Sequence, residues 1–444
     1  MLHTFEANGM YLALDVESGA LHLLDKMAYD IVTAQIKGES PYELCYDKKE
    51  VSEVLSELEE LQNAGSFDSP MPEMPENTGA DGIIKAMCLH IAHDCNLRCK
   101  YCFAETGEYR GGRMLMSAEV GKAALDFLVA HSGNRHNLEV DLFGGEPLIN
   151  FDVVKAIVDY GRELEKKHNK NINFTITTNG VALDDEKIEY INREMYNVVI
   201  SIDGRKEVHD MLRKTPNGKG SFDIIVPNAK KLIERRGDKE YYVRGTFTNH
   251  NLDFVNDVKA LDELGFERIS IEPVVLADDD ELALREEHLK RIFDEYEELT
   301  RYLSEKQKNG KHLIFFHFML DMGHGPCLKK RIKGCGAGVE YVAVTPAGDI
   351  YPCHQFVGEE EFKMGSVVTG ELNQDIQSDF AKCNILTKKE CSECWAKYFC
   401  SGGCAANAYK YNGSIYKPHK VTCELLKKRT ECGAALYAEA KINA

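Results

Sequence analysis

Apolar positions along this chain recur at two periods, and the switches between them mark its elements. Alternation over Gly9–Asp15 and Ala20–Leu24, joined by a Ser-Gly turn, predicts two strands. Helical spacing follows over about 26–35 and again over 48–64, where Val51, Val54, Leu55, Leu58 and Leu61 share a face. The run Ser69–Gly79 then holds three prolines within six residues, a stiff break that sets a domain boundary. Beyond it, six predicted strands (Ala86–Ile91, Leu138–Phe143, Asn173–Thr178, Val198–Asp203, Tyr241–Thr246 and Arg268–Glu272) alternate with helical patterns such as Gly121–Ala130 and Phe151–Leu164. Repeated βα units predict a parallel sheet.

Six units are too few to close an eight-stranded barrel. The expected class is therefore α/β, a partial (β/α)6 barrel with an open side and its chemistry at the C-terminal strand ends. A long amphipathic helix is expected over 281–309, and a hairpin over 341–351 around Pro346-Ala-Gly348. The resulting division is 1–70, a linker 71–83, the barrel 84–310 and a less regular region 311–444.

Composition narrows the function. A net charge of −18 over 444 residues disfavours a nucleic-acid partner, which needs a concentrated basic face. No run of eighteen apolar residues and no basic–apolar leader occurs, so neither a membrane span nor secretion is expected, and the expected location is cytoplasmic. Fifteen cysteines in such a chain argue for metal or cluster ligation rather than disulfides. They are clustered: four lie between 88 and 102 and ten between 327 and 432.

Cys95, Cys99 and Cys102 follow the first barrel strand on one short loop. Three thiolates can hold a cubane [4Fe-4S] cluster and leave one iron open to another ligand. A structural zinc site, the bland alternative, prefers four ligands in paired knuckles. The C-x3-C-x2-C spacing, with Tyr101 before the last cysteine, resembles the radical S-adenosylmethionine (SAM) superfamily. That resemblance implies SAM bound at the open iron and cleaved to a 5′-deoxyadenosyl radical. It extends to Gly144-Gly145-Glu146 after the second strand, Thr178 and Asn179 after the third, and Ser201-x-Asp203-Gly with Arg213 after the fourth. It implies that Glu146 accepts from the SAM ammonium, that Ser201 and Asp203 face the ribose, and that Arg213 pairs with the SAM carboxylate.

The second cysteine region reads C-x12-G-x4-C from Cys335 through Gly348 to Cys353. Then come Cys391, Cys394, Cys400 and Cys404 as C-x2-C-x5-C-x3-C, and finally Cys423. This spacing resembles the SPASM domain, which implies two auxiliary [4Fe-4S] clusters and three clusters in all. By that resemblance Cys391, Cys394, Cys400 and Cys423 hold an outer cluster, and Cys335, Cys353 and Cys404 an inner one. The inner cluster's fourth ligand is either Cys327 or a substrate thiolate on an open iron. Cys45, Cys88, Cys383 and Cys432 stay unassigned as structural thiols, with Cys432 an alternative to Cys423.

The N-terminal β-then-α unit resembles the winged-helix-like recognition elements that capture the leader of a ribosomally made peptide as an added strand; a structural cap on the barrel is the alternative. The whole chain resembles the maturases of six-cysteine peptides, which form sactionines, thioethers from a cysteine sulfur to an α-carbon. The implied partners are a cysteine-rich precursor peptide and a flavodoxin- or ferredoxin-type electron donor. Rival readings are an anaerobic sulfatase maturase making formylglycine, in which His354 stands where that family places an Asp base, other peptide modifications, and a non-catalytic cluster or zinc protein that binds peptide.

Overall fold

The computed structural model describes residues 1–74, 82–277, 279–322 and 328–443. The chain begins with β1 (Leu2–Ala7), β2 (Met10–Asp15) and β3 (Leu21–Leu24), an antiparallel meander. Strand β1 carries no clean alternation, which is why the sequence pattern misses it. Helix α1 (Lys26–Lys37) starts where Asp25 accepts from the Ala28 N–H and stops at Gly38, whose φ of 72° suits a left-handed cap. Helix α2 (Lys48–Asn63) is capped by Asp47. The alternation of β2 gives the unit two apolar faces. Ala13 packs with Ile31, Val32, Val51 and Leu58 of the two helices, whereas Leu12 and Leu14 pack with Phe5 on Ala434, Ala435 and Ala438 near the C-terminus. The linker expected over 71–83 lies partly outside the described residues.

The barrel strands are β4 (Ala86–His93), β7 (Asn137–Gly144), β8 (Asn171–Thr178), β9 (Asn197–Ser201), β11 (Tyr241–Phe247) and β12 (Arg268–Pro273), parallel and side by side in that order. Between them run the short β5 (Arg98–Cys99), β6 (Met114–Leu115) and β10 (Arg213–Lys214), and helices α3 (Ala118–His131), α4 (Phe151–His168), α5 (Asp185–Glu194), α6 (Lys206–Leu212), α7 (Phe222–Arg236) and α8 (Phe254–Glu263). Along β8, Ile172, Phe174 and Ile176 join the core under the helices, while Thr175 and Thr177 face the barrel interior. In β7, Leu138, Val140 and Leu142 point outward and Asp141 and Phe143 inward. The sheet is thus apolar on its helix side and largely polar within, which leaves the interior open.

The long helix starts later than expected. Residues 286–288 form a single 3-10 turn in which His288 Nδ1 accepts from the Arg285 N–H, and α9 (Leu289–Lys308) begins only after it. Nor does the barrel sheet end at residue 310. β13 (Ile314–Phe315) pairs parallel with β12, and β14 (Tyr341–Val344) pairs parallel with β4, so both edges are extended by the C-terminal region. The expected hairpin is β14 with β15 (Asp349–Tyr351), continued by β16 (Gly365–Ser366) and β17 (Glu371–Leu372). Short helices α10 (Leu328–Arg331), α11 (Gln374–Lys382), α12 (Lys389–Ser392), α13 (Lys397–Cys400) and α14 (Ala405–Asn412) precede α15 (Lys420–Ile442). Helix α15, which the sequence pattern does not announce, lies between α9 and the N-terminal sheet. Among the described residues no helix is long and apolar enough to cross a membrane.

Candidate active site

A cavity of about 490 Å³ opens at the C-terminal ends of the barrel strands, and Cys95, Cys99 and Cys102 all line it. The loop after β4 that carries them is pinned from several sides. The Cys95 N–H donates to Asp94 (2.8 Å), Asn179 Nδ2 donates to Asn96 (2.7 Å) and to Cys95 Sγ (3.6 Å), and β5 pairs antiparallel with β10. Burial pushes the Cys95 thiol up to about 12 and the Cys99 thiol up to about 11. Thiols this reluctant to ionise become thiolates on a metal. With Cys102 they make three cysteines lining one cavity, a donor set that fits a cluster keeping one iron free of protein ligands.

Gly144 and Gly145 line the cavity, and their bareness is explained by the cysteine loop. A Cβ on Gly144 would stand 2.4 Å from the Ala92 carbonyl oxygen, and one on Gly145 2.2 Å from that of Asp94. Strand β7 meets the end of β4 so closely that only glycine fits. Glu146, fully buried, accepts from Thr178 Oγ1 (2.7 Å), the Asn179 N–H (2.7 Å) and the Leu148 N–H (3.1 Å). Burial still raises its carboxyl to about 7. The expected ammonium acceptor is therefore tied first to the strand-end residues Thr178 and Asn179, and it fixes Asn179 against the cysteine loop.

Ser201 and Arg213 line the cavity; Asp203 stands behind them. The Asp203 carboxylate accepts from Tyr101 Oη (2.8 Å to each oxygen), Arg213 Nε (3.1 Å) and the Thr246 N–H (3.0 Å). Arg213 lies over the Tyr101 ring at 5.5 Å. Asp203, expected on the ribose side, is also the buried counter-charge that orients Arg213, whose guanidinium lines the cavity.

The C-terminal region closes the same cavity. His354 and Gln355 line it directly after Cys353, and the His354 ring lies 5.5 Å from Phe103 and 5.3 Å from Phe143. Burial drops His354 to about 4, so the imidazole is neutral. The cysteines fall into two groups. Burial first, then the nearby Cys404 and Cys335, raise the Cys353 thiol, while burial and then Cys423, Cys391 and Cys394 raise that of Cys400. Cys432 is not among them: it is buried against Thr300 on α9. Cys383 donates to the Ile415 carbonyl (3.1 Å) and Cys88 bonds with Tyr341 at the cavity floor. Cys327 lies outside the described residues. Arg244, Asp141 and Glu272 also line the cavity and escaped the sequence reading. Their signal was present: each is a charged residue at an inward-facing position of a barrel strand.

Residues 89–251 match the Radical SAM superfamily and residues 335–395 an iron–sulfur cluster-binding domain, SPASM. An uncharacterized protein of Methanocaldococcus jannaschii is 30% identical over 285 residues, covering 63% of this chain and 87% of that protein. The cysteine-type anaerobic sulfatase-maturating enzyme of Clostridium novyi is 27% identical over 344 residues, covering 71% and 86%. Among solved structures, native anSMEcpe with bound AdoMet and Kp18Cys peptide has a TM-score of 0.66 at 19% identity, covering 80% of this chain and 98% of that one. Streptococcus suis SuiB bound to S-adenosylmethionine has a TM-score of 0.56 at 17% identity, covering 95% and 98%.

Proposed function

Because the chain belongs to the radical SAM superfamily and carries a SPASM iron–sulfur domain, we propose that it modifies a ribosomally made precursor peptide, joining a cysteine sulfur to an acceptor α-carbon as a sactionine. The observation that carries this reading is the shared cavity. The Cys95–Cys102 loop forms one wall, and His354 and Gln355, adjoining Cys353, form another. A peptide segment held there lies between a radical-generating site and an auxiliary site.

Cys95, Cys99 and Cys102 would hold the cluster that binds SAM. Cys391, Cys394, Cys400 and Cys423 would hold the outer auxiliary cluster, and Cys335, Cys353 and Cys404 the inner one. Bound there, these groups supply a carbon radical that takes a hydrogen atom from the substrate, and a sink for one electron. Thioether formation then releases the thiol proton as the sulfur–carbon bond closes. Arg213, held by Asp203, is oriented to receive the SAM carboxylate, and Ser201 adds a hydroxyl beside it. Neutral His354 stands at the auxiliary end, where it can accept a hydrogen bond from the substrate thiol.

The N-terminal unit supports a peptide substrate. A match covering 95% of the chain must take in most of that unit, and SuiB has also been solved bound to its precursor peptide SuiA. The sulfatase-maturing relatives favour a second reading, oxidation of a cysteine to formylglycine. Anaerobic incubation of the reconstituted enzyme with SAM, a reductant and a cysteine-rich precursor peptide, followed by tandem mass spectrometry, separates the two. A sactionine retains the sulfur and loses two hydrogen atoms at a cysteine that no longer alkylates. Formylglycine loses the sulfur. Deoxyadenosine with an unchanged peptide mass would overturn both for that peptide and point to epimerisation.

A further inference from the structure

Three carboxylates line the cavity, and two are already engaged. Glu146 accepts from Thr178, Asn179 and Leu148. Glu272 lies 3.4 Å from His317, 3.7 Å from Arg429 and 3.9 Å from Arg244. Asp141 differs: among the described residues neither a hydrogen bond nor an ion pair reaches its carboxylate.

Strand register places it. Cys88, Asp141, Thr175 and Asn197 are successive register partners across β4, β7, β8 and β9. All four line the cavity, so they form one polar row across its floor. Interiors of parallel barrels are ordinarily filled by layers of branched apolar side chains. Within the row, Cys88 is taken by Tyr341. Phe143 stands two residues on along β7, on the same face and about 7 Å away. The His354 ring packs on Phe143 at 5.3 Å. Asp141 therefore lies one layer below the wall where His354 adjoins Cys353.

A bare carboxylate on a partly buried floor is satisfied only when a donor arrives with the ligand. The thioether reaction delivers such a donor. Joining sulfur to the α-carbon breaks a C–H and an S–H bond and forms one S–C bond. The hydrogen atom leaves with the deoxyadenosyl radical, one electron passes to the iron–sulfur sites, and one proton remains. That proton needs a base within the cavity.

We propose that Asp141 is the catalytic base of the thioether step, accepting the proton of the substrate cysteine as its sulfur bonds to carbon. The proposal rests on the thioether reading above. Asp141 faces the thiol from the floor, and His354 from the C-terminal wall. The titratable groups around Asp141 are Cys88 on β4, Tyr341 on β14 and Glu139 on its own strand; Thr175 and Asn197 carry no charge. Arg244, Glu272 and His354 belong to the rest of the wall. Burial, then Glu139, raises the carboxyl to about 6, so it is ionised at neutral pH.

The test uses full-length, anaerobically reconstituted enzyme with SAM, a reductant and a cysteine-rich precursor peptide, with deoxyadenosine and thioether measured in the same reaction. Asp141→Asn keeps the shape and removes the base; Asp141→Glu restores it. In Asp141→Asn the kcat for thioether formation should fall about a hundredfold, with peptide KM and deoxyadenosine formation unchanged. Asp141→Glu should recover part of the loss. The parent's ratio of thioether to deoxyadenosine should fall about tenfold from pH 7.5 to pH 5, and the residual ratio in Asp141→Asn should stay flat. A second readout needs no turnover. Infrared difference spectra taken without SAM should show a carboxyl band that shifts when peptide is added, is missing in Asp141→Asn, and ignores a peptide whose cysteines are alanine. Parental closure in Asp141→Asn, a loss confined to peptide KM, or a band indifferent to the cysteine peptide would each overturn the proposal. Closure lost in His354→Gln but kept in Asp141→Asn would make the imidazole the base instead. A parent that forms deoxyadenosine but no thioether would sink the thioether reading, and the proposal with it.

Discussion

Cys99 and Arg213 are direct cross-strand partners in the two-residue ladder between β5 and β10. A cysteine of the first cluster loop and the arginine aimed at its cavity are thus locked in register by backbone, 114 positions apart in the chain. Behind them, Asp203 holds both Arg213 and Tyr101. Asp203→Ala leaves the buried Arg213 without its counter-charge and should cost about 3–5 kcal/mol. Tyr101→Phe removes one hydrogen bond and should cost about 1 kcal/mol. Urea unfolding of the two variants measures the difference, and equal midpoints would show that Asp203 does not anchor this pair.

Gly145→Ala tests whether the glycine pair serves the cysteine loop. The new Cβ would sit 2.2 Å from the Asp94 carbonyl oxygen, a backbone atom that cannot swing aside. Overpacking of this kind costs about 1–3 kcal/mol, and the readiest relief is displacement of the loop that bears Cys95. The variant should fold yet lose the iron of the first site, matching a protein in which Cys95, Cys99 and Cys102 are all alanine. Full iron loading with normal SAM cleavage would refute the role.

Much of this site was legible because its chemistry is local in sequence. The three cysteines fall within eight residues, and every cavity motif follows a strand whose alternation marks it. The roles were less legible than the positions. Glu146 and Asp203 read as ligand contacts because their motifs name residues, not partners. Only the fold shows Glu146 taking three protein donors and Asp203 stationed behind Arg213. Asp141, Arg244 and Glu272 went unnoticed because a lone charge in a strand resembles a solvated face until the strand is seen to line a cavity. Helix α15 went unnoticed because its apolar residues, many of them alanines, serve two neighbours at once, α9 and the N-terminal sheet, and so form no single stripe.

Asp141 should give the protein a pH-dependent stability. Burial raises its carboxyl from 3.8 to about 6, so the folded protein binds this proton more tightly than the unfolded chain does. The contribution is fully present below about pH 4 and is lost as the pH rises through 6. Two pH units of difference correspond to about 2–3 kcal/mol at neutral pH. Asp141→Asn, which does not titrate, should be more stable than the parent at pH 8 and lose that advantage by pH 4. Urea midpoints across that range decide it; parallel curves would place the carboxyl in water.

The docking of the N-terminal unit can be read from one fluorophore. Trp395, the sole tryptophan, stacks on His3 of β1 with ring centroids 3.6 Å apart, and it follows directly after Cys394. Beside it, Glu17 takes both Lys397 Nζ (2.7 Å) and Tyr398 Oη (2.9 Å) in a buried cluster. Removing that carboxylate strands Lys397 inside the interface, a loss of about 3–5 kcal/mol. The cost falls on docking, because Glu17 belongs to the N-terminal unit and Lys397 to the C-terminal region. Glu17→Ala should therefore shift the tryptophan emission transition to lower urea and leave the far-ultraviolet circular dichroism transition of the barrel in place. If both transitions move together, the N-terminal unit unfolds with the barrel as one cooperative body. If neither moves, the Glu17 cluster does not hold the interface.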